Sequence, residues 1–142
     1  MIEVASVGFE FGYAESGKNE CGLKKLLVVD DEREIVELIS IVLDRDDLWL
    51  LEAYNGYQAL QMARTHHPDV ILSDVLMPGL DGLDLCRCIK SNPSTSNAVV
   101  ILMSARRELA DYSDCQADEF IRKPFEIDYV REVVDRFLST VA

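Results

Sequence analysis

Apolar residues follow two different periods along most of this chain. Continuous apolar runs of strand length occur at 26–29 (LLVV), 70–72 (VIL) and 99–103 (VVILM), which is typical of strands buried on both faces. The segments 34–43 (EIVELISIVL) and 127–138 (IDYVREVVDRFL) instead carry apolar residues at helical spacing. The two patterns alternate, so the sequence predicts strands and helices in alternation.

The complete pattern predicts five strand–helix units. The predicted strands are 26–30, 48–54, 69–74, 98–104 and 119–125, and the predicted helices are 34–43, 56–66, 83–90, a weak short one at 108–117, and 127–138. In the first helix we expect Ile35, Leu38, Ile39 and Val42 to face inward, and in the second Tyr57, Leu60, Met62 and Ala63. Short connections and right-handed crossovers then give an α/β fold, a doubly wound parallel sheet with helices on both faces.

Residues 1–22 differ from the rest of the chain. They hold four of the seven glycines, and VGFEFGY at 7–13 alternates with a period of two. Two interpretations stay open: a flexible N-terminal arm, or an added edge strand or partner-docking segment. The sequence therefore predicts an arm at 1–22 and one domain at 23–142.

Composition narrows the class of protein. The 142 residues carry a formal net charge of -12 and no basic stripe, which argues against direct binding to nucleic acid or to an anionic membrane. We find no apolar run of transmembrane length and no secretory signal, so we expect a cytoplasmic protein. The four cysteines lack the spacing of a zinc site and are expected to be free thiols.

Chemically active side chains stand where the predicted strands end. Asp30 and Asp31 end the first strand, Asp74 the third and Ser104 the fourth, and Lys123 ends the fifth because Pro124 stops the segment 119–125. Ligands of open parallel sheets bind outside the carboxyl ends of the strands, so these groups are expected to converge.

Three converging carboxylates repel one another unless a cation compensates them. Mg2+ prefers oxygen ligands, and a hydroxyl with an ammonium could then bind a phosphoryl group. An aspartate in such a site can attack phosphorus and form an acyl phosphate. Taken alone, Asp31 with Glu34 is also compatible with a helix cap and its reciprocal carboxylate.

Four motifs in order resemble one family. VVDDE, SDVLMPGLDG, ILMSA and DEFIRKPF make residues 24–142 similar to the receiver domain of two-component response regulators, in the CheY-like superfamily. Asp74 lies 43 residues after Asp31 and 30 before Ser104, which also fits. The resemblance implies a flavodoxin-like fold with strand order 2-1-3-4-5.

The resemblance also implies a role for each matching residue. Asp74 would be the phosphoacceptor and a metal ligand. Mg2+ would be bound directly by Asp31, mainly through water by Asp30, and by the backbone carbonyl of Leu76. Ser104 and Lys123 would bind the phosphoryl group.

Three further features follow from the same resemblance. Ala105 would leave room beside the acceptor, and Phe120 would be the aromatic switch residue. The Lys123–Pro124 peptide bond would be cis. The chain departs from the family in two places: only 19 residues separate Ser104 from Lys123, about three fewer than usual, and Gln116 stands where a glycine is common. We therefore expect a different or shorter fourth helix.

The expected function is signalling rather than enzymatic turnover. A histidine kinase or histidine phosphotransfer protein would phosphorylate Asp74, and the face formed by the fourth helix, fifth strand and fifth helix would change conformation. The output partner is open, and the resemblance allows a phosphorylation-dependent homodimer. Two alternatives remain: a phosphohydrolase with an aspartate nucleophile, or an interaction domain that is never phosphorylated.

Overall fold

Five strands form one parallel sheet in the computed structural model, which describes residues 23–105 and 115–140. The strands are β1 (Lys24–Val29), β2 (Leu48–Ala53), β3 (Val70–Asp74), β4 (Val99–Ser104) and β5 (Glu119–Arg122). Their order across the sheet is β2-β1-β3-β4-β5, and every neighbouring pair is parallel. Both the parallel sheet and the strand order agree with the predicted α/β fold, so the prediction of fold class is confirmed.

Four helices cover the two faces of this sheet within the described residues. They are α1 (Arg33–Leu43), α2 (Gly56–His66), α3 (Gly82–Ser91) and α4 (Ile127–Leu138). Because side chains alternate along a strand, Leu26 and Val28 of β1 pack with α1 and α4, while Leu27 and Val29 pack with α2 and α3. The central strands are therefore apolar on both faces, as their continuous apolar runs predicted.

Helix α1 turns a different side to the core from the one predicted. Val36, Ile39 and Leu43 are buried, whereas Leu38 is 48% exposed. The prediction that Leu38 faces inward is therefore wrong. Apolar residues also occupy the outward positions, including Ile41, which is 75% exposed, so the apolar pattern fits more than one rotation of the helix.

Tyr57 is also placed wrongly by the sequence pattern. Its side chain is 66% exposed, while Gly56 and Ala59 occupy the buried positions in the first turn of α2. The inward side of α2 is formed by small residues, Gly56, Ala59 and Ala63, and a Cβ atom on Gly56 would lie only 2.1 Å from the carbonyl oxygen of Leu80.

The fourth predicted helix, 108–117, falls mostly on residues 106–114, which lie outside the described residues, as does the predicted arm at 1–22. At the end of that stretch Gln116 has a positive φ of 64°. The left-handed conformation that a glycine commonly provides is thus present without the glycine. No helix in the described part of the chain is long and apolar enough to cross a bilayer.

Candidate metal centre

The acidic residues converge because β1 and β3 are parallel neighbours. Val29 pairs with Ser73, so Asp30 and Asp74 come next at the same edge of the sheet. Asp30, Asp31 and Asp74 each offer one carboxylate oxygen, and these three oxygens lie within 4.8 Å of one another. The structure therefore brings together the three carboxylates expected at a metal site.

The three carboxylates differ in their exposure. Asp30 is fully buried and Asp74 is 7% exposed, whereas Asp31 is open to solvent. Oδ1 of Asp30 accepts a hydrogen bond of 3.0 Å from the backbone N–H of Glu32. Oδ2 of Asp30 is buried and accepts no hydrogen bond within the described ranges, which is costly for a carboxylate oxygen.

Lys123 supplies a positive charge at this edge. Its Nζ lies 3.0 Å from Oδ1 of Asp74 and 3.8 Å from Oδ2 of Asp30. The backbone N–H of Lys123 donates to the carbonyl of Ser104 at 2.9 Å, which ties the end of β5 to the end of β4. The Lys123–Pro124 peptide bond is cis.

Burial and mutual repulsion perturb the charged groups. Burial raises the pKa of Asp30 to about 6, opposed by the hydrogen bond from Glu32 and reinforced by the charge of Asp74. Burial also raises the pKa of Asp74, although Lys123 opposes the shift. For Lys123, burial by itself lowers the pKa, but the hydrogen bond with Asp74 and the surrounding negative charge outweigh it and raise the pKa.

This cluster fits a hard divalent cation. Three carboxylates face a single ammonium, so negative charge is in excess. Oδ2 of Asp30, which accepts no hydrogen bond within the described residues, and the exposed carboxylate of Asp31 are oxygen ligands of the kind that Mg2+ binds. The alternative helix-cap role of Asp31 is wrong, because Glu32 occupies the N-cap of α1 and no side chain caps this helix.

The remaining predicted site residues lie at different depths. Ser104 is buried at the end of β4, and Ala105 follows it in an exposed position. Leu76 is the second residue of the loop after β3 and is 57% exposed. Phe120 is half-buried in β5, where it pairs with Leu102 and packs against the core beneath α2 and α3. Phe120 thus lies in the sheet, three residues before Lys123.

Two contributors to the site were not predicted from sequence. The backbone N–H of Glu32 donates a hydrogen bond to the buried carboxylate of Asp30. A backbone contact of this kind cannot be recognised from the order of residue types. Gly82 packs against the main chain of Asp74. The sequence does show a glycine directly after Asp81, where α3 begins. Asp81 caps this helix by accepting a hydrogen bond from the backbone N–H of Asp84.

The fold and the site together define a class: an open, doubly wound α/β domain with an acidic site where the strand order reverses, between β1 and β3. The family model described as the response regulator receiver domain matches residues 26–135. The chain therefore belongs to the response regulator receiver family.

Comparisons with individual proteins agree with this assignment. Response regulator GtcR of Aneurinibacillus migulanus is 39% identical over 105 residues, which are 72% of this chain and 42% of that protein. Transcriptional regulatory protein CseB of Streptomyces avermitilis is 34% identical over 119 residues, 79% of this chain and 49% of that protein. The chain thus spans less than half the length of these two relatives.

A solved structure shows the same fold. The signal receiver domain of a signal transduction histidine kinase from Syntrophus aciditrophicus is 33% identical to this chain, with a TM-score of 0.76. The similarity covers 83% of this chain and 92% of that domain.

Proposed function

We propose that this receiver domain accepts a phosphoryl group on Asp74, in a Mg2+-dependent reaction, from a phosphohistidine of a histidine kinase or histidine phosphotransfer protein. The observation that carries the proposal is the arrangement at Asp74. Its carboxylate lies with those of Asp30 and Asp31 and is 3.0 Å from the Lys123 ammonium. A nucleophile, a cation and metal ligands are the parts that phosphoryl transfer to a carboxylate requires.

The chemistry assigned to Asp74 is a substitution at phosphorus. A carboxylate oxygen forms a bond to phosphorus while the bond from phosphorus to the donor imidazole nitrogen breaks, and the electron pair leaves with the imidazole. The product is an acyl phosphate, and water attack on phosphorus later restores the carboxylate. Lys123 stabilises negative charge on the transferring oxygens, and bound Mg2+ would neutralise further charge there.

Asp30 and Asp31 are assigned to the metal with different roles. Asp31, whose carboxylate is exposed, would bind Mg2+ directly, and the deeper Asp30 would act mainly through a water. Asp74 and the backbone carbonyl of Leu76 would be the other two direct protein ligands, as the family resemblance implies.

Signalling is assigned to residues at the ends of β4 and β5. Ser104 would donate its hydroxyl to the phosphoryl group, and the neighbouring Ala105 leaves space for that group. Because the N–H of Lys123 binds the carbonyl of Ser104, a shift of Ser104 reaches β5 directly. Phe120, which packs on the α2–α3 side of β5, would then change rotamer. The face that includes β5 and the last helix, α4, would change conformation as a result.

The output of this signal is proposed as a protein contact, including a phosphorylation-dependent homodimer. CseB is named a transcriptional regulatory protein, but the matching region is less than half of it. The net charge of -12 supports an output that does not require this domain to touch nucleic acid.

The proposal is tested by phosphorylation with radiolabelled acetyl phosphate and Mg2+. The wild-type chain should gain label and Asp74→Asn should gain none. Asp81→Asn is the matched control, because Asp81 lies at the end of the loop that follows Asp74 and asparagine caps a helix as well as aspartate. Label on Asp74→Asn equal to that on the control contradicts the proposal.

A further inference from the structure

Gly82 lies directly against the main chain of the proposed phosphoacceptor. A Cβ atom at this position would stand 2.3 Å from the carbonyl oxygen of Asp74 and 2.8 Å from the Cα of Val75. The backbone N–H of Gly82 also donates to the carbonyl of Val75 at 2.8 Å. The first turn of α3 is therefore packed onto the last residue of β3 and the first residue of the following loop, at a distance that excludes any side chain.

Gly56 makes a similar contact at the other end of the same loop. It is the first residue of α2, and a Cβ atom there would lie 2.1 Å from the carbonyl oxygen and 2.8 Å from the Cβ of Leu80. The loop 75–81 is thus held near both ends by the first residue of a helix. The shortest contact at each glycine is with a backbone carbonyl oxygen, which cannot turn aside as a flexible side chain can.

We propose that Gly82 and Gly56 are positioning residues for phosphoryl transfer, which fix the Asp74 carboxylate and the following loop relative to Lys123 and the metal ligands. The inference rests on the proposed function of Asp74. Its physical basis is that a methyl group at position 82 forces the Asp74 carbonyl to move by about 0.7 Å to restore a 3.0 Å contact. A movement of this size in the backbone of Asp74 also displaces its carboxylate relative to the Lys123 ammonium, which now lies 3.0 Å from it.

The contact at Gly82 should matter more than the contact at Gly56. Gly82 touches Asp74 itself, whereas Gly56 touches Leu80, six residues further along. Displacement of a reacting group by about 1 Å can cost about 100-fold in rate. Loss of a residue that orients metal ligands typically costs about 10- to 100-fold in metal affinity.

The test compares Gly82→Ala with Val133→Ala. Val133 is buried in α4, on the opposite face of the sheet, so its truncation destabilises the fold without touching the loop. Three quantities are measured on the folded proteins: the Mg2+ dissociation constant by titration calorimetry, the phosphorylation rate at saturating Mg2+ and acetyl phosphate, and the amide shifts of the metal-free protein.

We expect Gly82→Ala to raise the Mg2+ dissociation constant by about tenfold or more and to lower the rate by about 100-fold. The amide signals of Asp74 and Val75 should shift before any metal is added. Val133→Ala should leave the affinity and the rate within about twofold of wild type. Equal behaviour of the two variants in affinity and rate overturns the role of Gly82.

Gly56→Ala keeps the inference testable if Gly82→Ala does not fold. It should weaken Mg2+ binding less than Gly82→Ala but more than Val133→Ala, and wild-type affinity in a folded Gly56→Ala overturns the role of Gly56. Failure of the proposed function is recognised separately. In that case the wild-type chain takes no label, while the Mg2+ affinities and amide shifts still decide whether the glycines position the site.

Discussion

Lys123 reaches across the end of β4 to contact Asp74 on β3, with 3.0 Å between its Nζ and Oδ1 of the carboxylate. Its side chain is 25% exposed and that of Asp74 is 10% exposed, so the pair is shielded from bulk water but open to a reactant. A single ammonium cannot balance the three carboxylates at this edge. The excess negative charge leaves room for a metal cation.

Replacement of Lys123 by alanine should separate metal binding from phosphoryl transfer. The ammonium competes with a cation for the carboxylates, so Mg2+ binding should be retained or strengthened. Loss of a charge that stabilises the transferring oxygens should lower the phosphorylation rate by about 100- to 1,000-fold at saturating Mg2+. Arg122→Ala, an exposed neighbour on β5, is the control and should react normally. A wild-type rate in Lys123→Ala contradicts the assigned role.

The two adjacent aspartates should contribute unequally to metal binding. Asp31 is exposed and Asp30 is fully buried, and we assign direct ligation to Asp31. Asp31→Ala should therefore weaken Mg2+ affinity more than Asp30→Ala, as measured by titration calorimetry at pH 7. Equal losses in the two variants would remove the distinction between a direct and a water-mediated ligand.

Asp30 should make the metal-free protein less stable as pH rises. Its folded pKa is raised from 3.8 to about 6, so the folded state holds a proton that the unfolded state releases. The resulting stability is present below about pH 4 and is lost as pH rises through about 6. Asparagine mimics the neutral carboxyl group. The free energy of unfolding of Asp30→Asn should therefore exceed that of the wild type by about 2–3 kcal/mol at pH 7 and by little at pH 4.

Urea unfolding with a chelator present measures this difference. Saturating Mg2+ should then stabilise the wild type and leave Asp30→Asn less affected. If the difference in unfolding free energy between wild type and Asp30→Asn is the same at pH 4 and pH 7, the pKa of Asp30 is not raised in the folded protein.

Gln116 offers a test of the backbone that follows the undescribed stretch 106–114. Its φ of 64° is unfavourable for a residue with a side chain and neutral for glycine. Gln116→Gly should raise the free energy of unfolding by about 0.5–1 kcal/mol, whereas Gln116→Ala should give no gain. Urea unfolding of the two variants checks this, and an equal loss in both argues against the left-handed conformation.

The convergence of Asp30, Asp74 and Lys123 was predictable from sequence because it follows from topology. In a parallel sheet the last residues of all strands lie at one edge, whatever the detailed packing. The apolar runs were long enough to identify β1, β3 and β4, and the residues that end them therefore identified the candidate site.

Properties that depend on distances were not predictable in the same way. Leu38 and Tyr57 were expected to be buried, but α1 and α2 turn other residues to the core and leave these two exposed. Because glycine is absent at position 116, a different or shorter fourth helix was expected. Gln116 nevertheless adopts the left-handed backbone conformation that glycine commonly provides. A residue pattern records which side chains are apolar, but it does not record how closely two backbones approach.

The central claim is that Asp74 is the residue that carries the phosphoryl group, and chemical trapping of that group tests it most directly. The wild-type chain is phosphorylated with acetyl phosphate and Mg2+, then treated with borohydride, which reduces an aspartyl phosphate to homoserine. Peptide sequencing by mass spectrometry should find homoserine at position 74 and unmodified aspartate at positions 30 and 31. Homoserine at position 30 or 31, or at none of the three, would contradict the account.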